Sequence, residues 1–134
     1  MLDLPFNHTV TIIIITVIIS MVAFSNQNVM NRLIFWPPAM QRGQYDRFIT
    51  HGFIHADGMH LLFNMFTLFF FGSIIESFYR QYFYDLGFVL FYLGGLIFAI
   101  LPSYLKHKND VRWASLGASG AVSAVLFAYV LFEP

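Results

Sequence analysis

Leu116-Gly117-Ala118-Ser119-Gly120-Ala121-Val122-Ser123-Ala124-Val125-Leu126-Phe127-Ala128 opens the last apolar run of the chain. No charge interrupts the run from Leu116 to Phe132, and it has the length that crosses a hydrocarbon core of about 30 Å. Gly120, Ala124 and Ala128 recur every four residues, a small-residue stripe suited to tight packing against a neighbouring helix. A hydroxyl between two glycines at the head of such a helix is an odd choice for packing alone, so Ser119 is a candidate nucleophile. The plain alternative is that small residues at helix contacts are often Ser or Gly. The string departs from the G-x-S-x-G elbow of soluble hydrolases, since position 121 is Ala.

Composition says what kind of protein surrounds that serine. Hydrophobic residues make up 58% of the 134 positions and charged ones only 10%. Soluble domains carry about 25% charged residues, so this chain cannot cover a water-facing surface. It is expected to be an all-α membrane protein of one small bundle. The formal net charge of zero offers no electrostatic case for nucleic acid. With no cysteine, disulfides, thiolate catalysis and Cys-based metal sites are excluded. Met1 to His8 holds no Lys or Arg and so lacks the basic start of a cleavable signal peptide.

Four spans are expected, at residues 9–24, 59–78, 83–101 and 116–132, forming one domain over 1–134. Ile12-Ile13-Ile14-Ile15 centres the first; β-branched residues disfavour helix in water, but lipid forbids unsatisfied backbone, so helix wins. Residues 25–57 form a long connection that contains Leu33-Ile34-Phe35-Trp36 and Phe53-Ile54. Connections beyond about 12–15 residues are usually functional or disordered, and the apolar insertions favour an ordered interfacial element with short helices. Tyr79-Arg80-Gln81-Tyr82 reads as an interfacial turn. Gly87 and Gly94-Gly95 allow close helix approach in the third span, and 102–113 reads as an exposed polar loop.

Polar groups inside spans are costly and are functional candidates by default. His60 and Asn64, four apart, present to one side of the second helix. Each can donate a hydrogen bond from a neutral side chain, and with a backbone N–H near Ser119 they would stabilise an anion, as acyl transfer requires. Taken alone, such a pair more often bridges helices. His51, His55 and His60 fall within ten residues, yet only Asp57 could supply a carboxylate, so neither a metal nor another cofactor is expected.

The combination is more specific than its parts. His60-x-x-x-Asn64 at the start of one span, Gly117-Ala118-Ser119-Gly120 at the start of a later one, and the long first loop resemble the rhomboid family of intramembrane serine proteases. The resemblance covers nearly the whole chain. Arg47, His51, His55, His60 and Asn64 match the family pattern at its polar positions, and Glu76 stands where the family tends to place a glutamate. Tyr45-Asp46-Arg47 keeps the arginine of the usual Trp-Arg pair without its tryptophan. The resemblance implies a six-helix bundle in which Ser119 is the nucleophile. His60, Asn64 and the Ser119 backbone amide would hold the oxyanion, and Gly117 would allow close approach of the chain. The implied partners are transmembrane protein substrates and the lipid bilayer, in a multi-pass position expected in a bacterial inner or plasma membrane.

One departure matters. The family's base is a histidine on the sixth helix, and no fifth or sixth span follows the fourth in this chain. The first expectation is the N-terminal portion of an active protease, completed by a C-terminal fragment that supplies the missing helices. The alternatives are a catalytically inactive rhomboid-like protein that binds membrane clients, and an unrelated four-span bundle.

Overall fold

The computed structural model describes residues 7–132. The reading of the first residues as lacking a signal peptide falls largely outside that range, as do the last two positions.

Helix α1 (His8–Ser25) starts where the Asn7 side chain accepts from the Val10 N–H at 2.8 Å. Its buried face is Thr9, Ile12, Thr16, Ser20 and Ala23, while Ile14, Ile15 and Ile18 are exposed. This inverts the pattern of a soluble helix: small and hydroxyl residues face the bundle and large apolar ones face outward, as lipid allows. The inner hydroxyls are satisfied, Thr16 Oγ1 donating to the Ile12 carbonyl at 2.7 Å.

The long connection is ordered. It folds into α2 (Gln27–Leu33), α3 (Pro37–Met40), α4 (Arg47–Thr50) and a 3₁₀ turn (His51–Phe53). Its core is Phe35, fully buried, with Phe48, Tyr104, Trp113 and His51 edge-on around it at 5.1 to 6.2 Å. Arg47 is buried and pins the path of the loop: its Nη1 donates to the Asn31 and Ile34 carbonyls, and its Nε to Gln44 Oε1. Phe35 and Ser115 exchange backbone hydrogen bonds at 2.9 and 3.0 Å. That single bridge ties the loop to the segment leading into Ser119.

Helix α5 (Gly58–Tyr82) is capped by Asp57 and packs on α1 through Gly72, where a Cβ would meet Thr9 Cγ2 at 2.7 Å. One turn on, buried Glu76 accepts from the His8 and Thr9 N–H groups, the Thr9 hydroxyl and Arg80 Nη2, each at 2.8 Å. A carboxylate inside a span is thus satisfied by the otherwise orphaned first turn of its neighbour.

Helix α6 (Gly87–His107) departs from the expected 83–101 and runs through Pro102, so 102–107, expected as loop, is helical. Proline removes one backbone donor, which membrane helices tolerate where packing holds the turn; here Ile100 and Tyr104 sit against Phe35 and Phe48. Helix α7 (Ser119–Phe132) begins three residues later than the apolar run. It packs against both α5 and α6. Gly95 brings α6 close to it, since a Cβ at Gly95 would stand 3.1 Å from Ala121 Cα, and a Cβ at Gly120 would collide with that of Ala99. The small-residue stripe therefore faces α6 at its start. Among the described residues three helices, α1, α5 and α6, are long and apolar enough to cross a membrane; α7 is apolar and shorter, with 14 described residues.

Candidate active site

Asp57 begins the site. Its Oδ1 accepts from the His60 backbone N–H at 2.9 Å, which caps α5, and also contacts the His60 ring at Nδ1, 2.8 Å away. His60 is exposed and Asn64, one turn on, is half-buried. Across from them the chain leaves the Phe35 bridge at Ser115 and turns into α7 at Ser119, which is exposed. A cavity of about 530 Å³ joins the two sides, its wall including His60, Asn64, Gly117 and Ser119. Ser119 is the first residue of α7, so the helix itself offers its N–H no acceptor.

The turn into Ser119 is held at two successive amides. Gly117 N–H donates to the His51 carbonyl at 2.8 Å, and Ala118 N–H donates to His55 Nε2 at 3.2 Å. Gly117 adopts φ +111°, a conformation that side chains strain. A Cβ there would meet only His55 Cδ2, at 3.8 Å, so the glycine is required for its backbone angle rather than for lack of room. The close helix contact at this turn is made by Gly120 against Ala99.

His55, which in the sequence is a weak metal candidate and one of the polar positions that match the rhomboid pattern, has a specific position here. An amide N–H can only donate, so Nε2 is bare and Nδ1 carries the proton. Nδ1 lies 3.2 Å from Ser20 Oγ, which in turn donates to the Phe53 carbonyl at 2.9 Å. Burial pushes the His55 ring down to about 4, with a further contribution from His60. His51 is likewise lowered by burial, its Nδ1 donating to the Arg47 carbonyl at 2.9 Å. The three histidines thus have separate hydrogen-bond partners and do not converge. The available sequence signal for His55 was its placement beside the apolar pair Phe53-Ile54, where a polar ring has to find partners.

Fold and site together define a helical membrane protein whose exposed serine opens on a cavity lined by neutral and titratable hydrogen-bonding groups. A family model for the Rhomboid domain matches residues 42–134. Rhomboid protease GlpG of Enterobacter sp. (strain 638) is 32% identical over 126 residues, 91% of this chain and 41% of that protein. RHOMBOID-like protein 12, mitochondrial, of Arabidopsis thaliana is 30% identical over 123 residues, 83% of this chain and 36% of that protein. The chain belongs to the rhomboid family. It spans about two fifths of the length of these curated relatives.

Proposed function

We propose that this chain carries the nucleophile and the oxyanion pocket of an intramembrane serine endopeptidase that cleaves transmembrane proteins. The observation that carries the reading is the shared cavity, which puts Ser119 and Gly117 on one wall with His60 and Asn64 on another. Ser119 Oγ attacks the scissile carbonyl, and the carbonyl oxygen, now negative, takes hydrogen bonds from His60, Asn64 and the Ser119 amide. The base that takes the Ser119 proton passes it to the leaving nitrogen as the intermediate collapses, which expels the amine and leaves an acyl-enzyme; water, giving up a proton to the same base, then hydrolyses it. One such donor is worth roughly 10²–10³ in rate. The relatives named as rhomboid proteases support the class.

A serine hydroxyl also needs a base. Among the described residues the one other histidine on the cavity wall is His55, and both of its ring nitrogens are already engaged. The resemblance to the rhomboid family implies a Ser–His dyad, and in this proposal the base is the histidine that the family carries on a later helix. Cleavage of a transmembrane reporter by the full-length gene product, in membranes or detergent, tests the proposal. Ser119→Ala abolishes cleavage and labelling by a fluorophosphonate; cleavage that survives the substitution, or a wild-type protein that binds the reporter without cutting it, ends the reading.

A further inference from the structure

Trp36 gathers cations at the end of the bundle that carries the first loop. Its indole N–H donates to the Val111 carbonyl at 2.9 Å, which ties that loop to the segment after α6. The Arg42 guanidinium lies over the Trp36 ring, 5.6 Å from its centroid. Gln41 Nε2 donates to the Lys108 carbonyl at 3.2 Å, and Arg112 follows Val111 directly. Arg42, Lys108 and Arg112, from two separate segments, are thus brought around one indole.

All three cations are exposed, and none pairs with a carboxylate among the described residues. Arg32, by contrast, is paired with Asp46, and Arg80 with Glu76 and Asp85. Asp110 is the carboxylate within this segment, and it serves the segment itself. Its Oδ1 accepts from the Arg112 backbone N–H at 2.9 Å, and its Oδ2 lies 3.7 Å from His107 Nδ1. Like charges held together repel, and nothing in the described fold neutralises these three.

Position says which anion fits. The first loop follows α1 and residues 108–118 follow α6, and both helices are long and apolar enough to cross a membrane. Their shared end therefore lies at the membrane surface. The chain's two tryptophans are both here, Trp113 stacked on His107 at 4.4 Å, and indoles concentrate at the headgroup level. Val111, apolar and exposed, sits between Trp36 and Arg112. Apolar surface beside unpaired cations matches a phospholipid, which carries both a charge and a hydrocarbon chain. Free phosphate and an acidic peptide offer charge alone.

We propose that Arg42, Lys108 and Arg112 form a binding surface for the phosphate of an anionic phospholipid, with Trp36 holding the guanidinium and Val111 meeting the apolar part of the lipid. The ring fixes Arg42 while its side-chain N–H groups stay without an acceptor among the described residues, and a planar guanidinium can give phosphate two parallel hydrogen bonds. None of the three cations lines the cavity, so the surface is independent of the reading of Ser119. Its two segments are also those joined by the Phe35–Ser115 bridge, and a bound headgroup clamps the first loop to the chain entering α7.

Native mass spectrometry of the full-length gene product in detergent, titrated with dioleoyl phosphatidylglycerol or dioleoyl phosphatidylcholine, tests this. Phosphatidylglycerol is expected to bind at one site, roughly tenfold or more tighter than phosphatidylcholine. A Lys or Arg near an anionic lipid surface is worth about fivefold in affinity, so Arg42→Gln/Arg112→Gln loses the preference. Arg32→Gln/Lys106→Gln removes equal charge from the same end, outside the cluster, and keeps it. Melting temperatures check that both variants fold; should Arg112→Gln lower them, Lys108→Gln takes its place. Equal losses in the two double variants, or equal affinity of the wild type for the two lipids, mean a diffuse field and overturn the proposal. Displacement of the lipid by inorganic phosphate or by a tetraglutamate peptide at equal concentration also overturns it, the first marking a plain anion site and the second a protein-docking surface. The readout is binding, so a protein that cuts nothing leaves the test intact.

Discussion

The Ala118 backbone N–H donates to His55 Nε2 at 3.2 Å, so the residue before the candidate nucleophile is held by a ring from the far end of the first loop. The bond continues inward through Ser20 on α1 to the Phe53 carbonyl. Three segments, distant in sequence, thus meet behind Ser119 and set where α7 begins. None of the three touches the reacting atoms in the proposed mechanism.

Replacing His55 tests that relationship. His55→Ala leaves the buried Ala118 N–H without a partner, which costs about 1–3 kcal/mol, and lets the turn into Ser119 drift. A misplaced nucleophile loses on the order of 10²-fold in kcat. His55→Gln keeps an acceptor oxygen and recovers part of both losses. Chemical denaturation and reporter cleavage, measured side by side, check it; equal behaviour of the two variants would show that the ring acts by volume rather than by its nitrogen.

Acid should loosen the same bond. His55 has a folded value near 4, against 6.5 for the free side chain, because burial disfavours its charged form. The unfolded chain therefore binds more protons between those values. The contribution to stability is fully present above about pH 6.5 and is lost as pH falls toward 4; His51, also lowered by burial, acts in the same direction. Melting temperatures from pH 8 to 4.5 are expected to fall across that window, with a shallower slope in His55→Gln. A flat profile contradicts the buried neutral ring.

Two glycines at the same turn should fail differently. Gly117→Ala forces a side chain into φ +111° at a site with room for a methyl, so the loss comes from backbone strain of about 1–3 kcal/mol. Gly120→Ala sets a methyl against Ala99 Cβ and pushes α6 from α7, at a cost typical of overpacking, about 1–3 kcal/mol. The second loss should be relieved by Ala99→Gly, and the first should not. Double-mutant melting curves measure this directly.

Glu76 anchors the start of α1. Glu76→Ala leaves the His8 and Thr9 N–H groups and the Thr9 hydroxyl without their acceptor, and is expected to destabilise by about 3 kcal/mol. Hydrogen exchange at the first turn of α1 should rise most. A loss confined to the Arg80 contact, with Thr9 still protected, would mean that the ion pair rather than the capping carried the effect.

Much of this protein was legible in order of residues. Long apolar runs with few charges can only be helices once lipid is the solvent, because every backbone group must be paired within its own segment. His60-x-x-x-Asn64 and Gly117-Ala118-Ser119-Gly120 could be picked out because helical spacing and glycine placement are local properties. The ends of elements were less secure. Pro102 reads as a terminator, yet α6 continues to His107 because Tyr104 closes the aromatic cluster around Phe35. Short helices in the first loop were expected from its apolar insertions, but none has a periodicity long enough to fix its bounds.

Residue types and local spacing therefore decided that the chain is a helical membrane protein with a serine at the head of its last apolar helix, a histidine and an asparagine along one face of an earlier helix, and the pattern of the rhomboid family. Folding in three dimensions decided which of the histidines does what. His55 became the support of the serine turn, His51 a carbonyl clamp and His60 the ring beside Asp57. An imidazole takes its role from the donors and acceptors around it: those of the His51 and His60 rings lie three or four residues away, at Arg47 and Asp57, while those of His55 come from Ser20 on α1 and Ala118 in the turn before α7, which only the packed fold brings together.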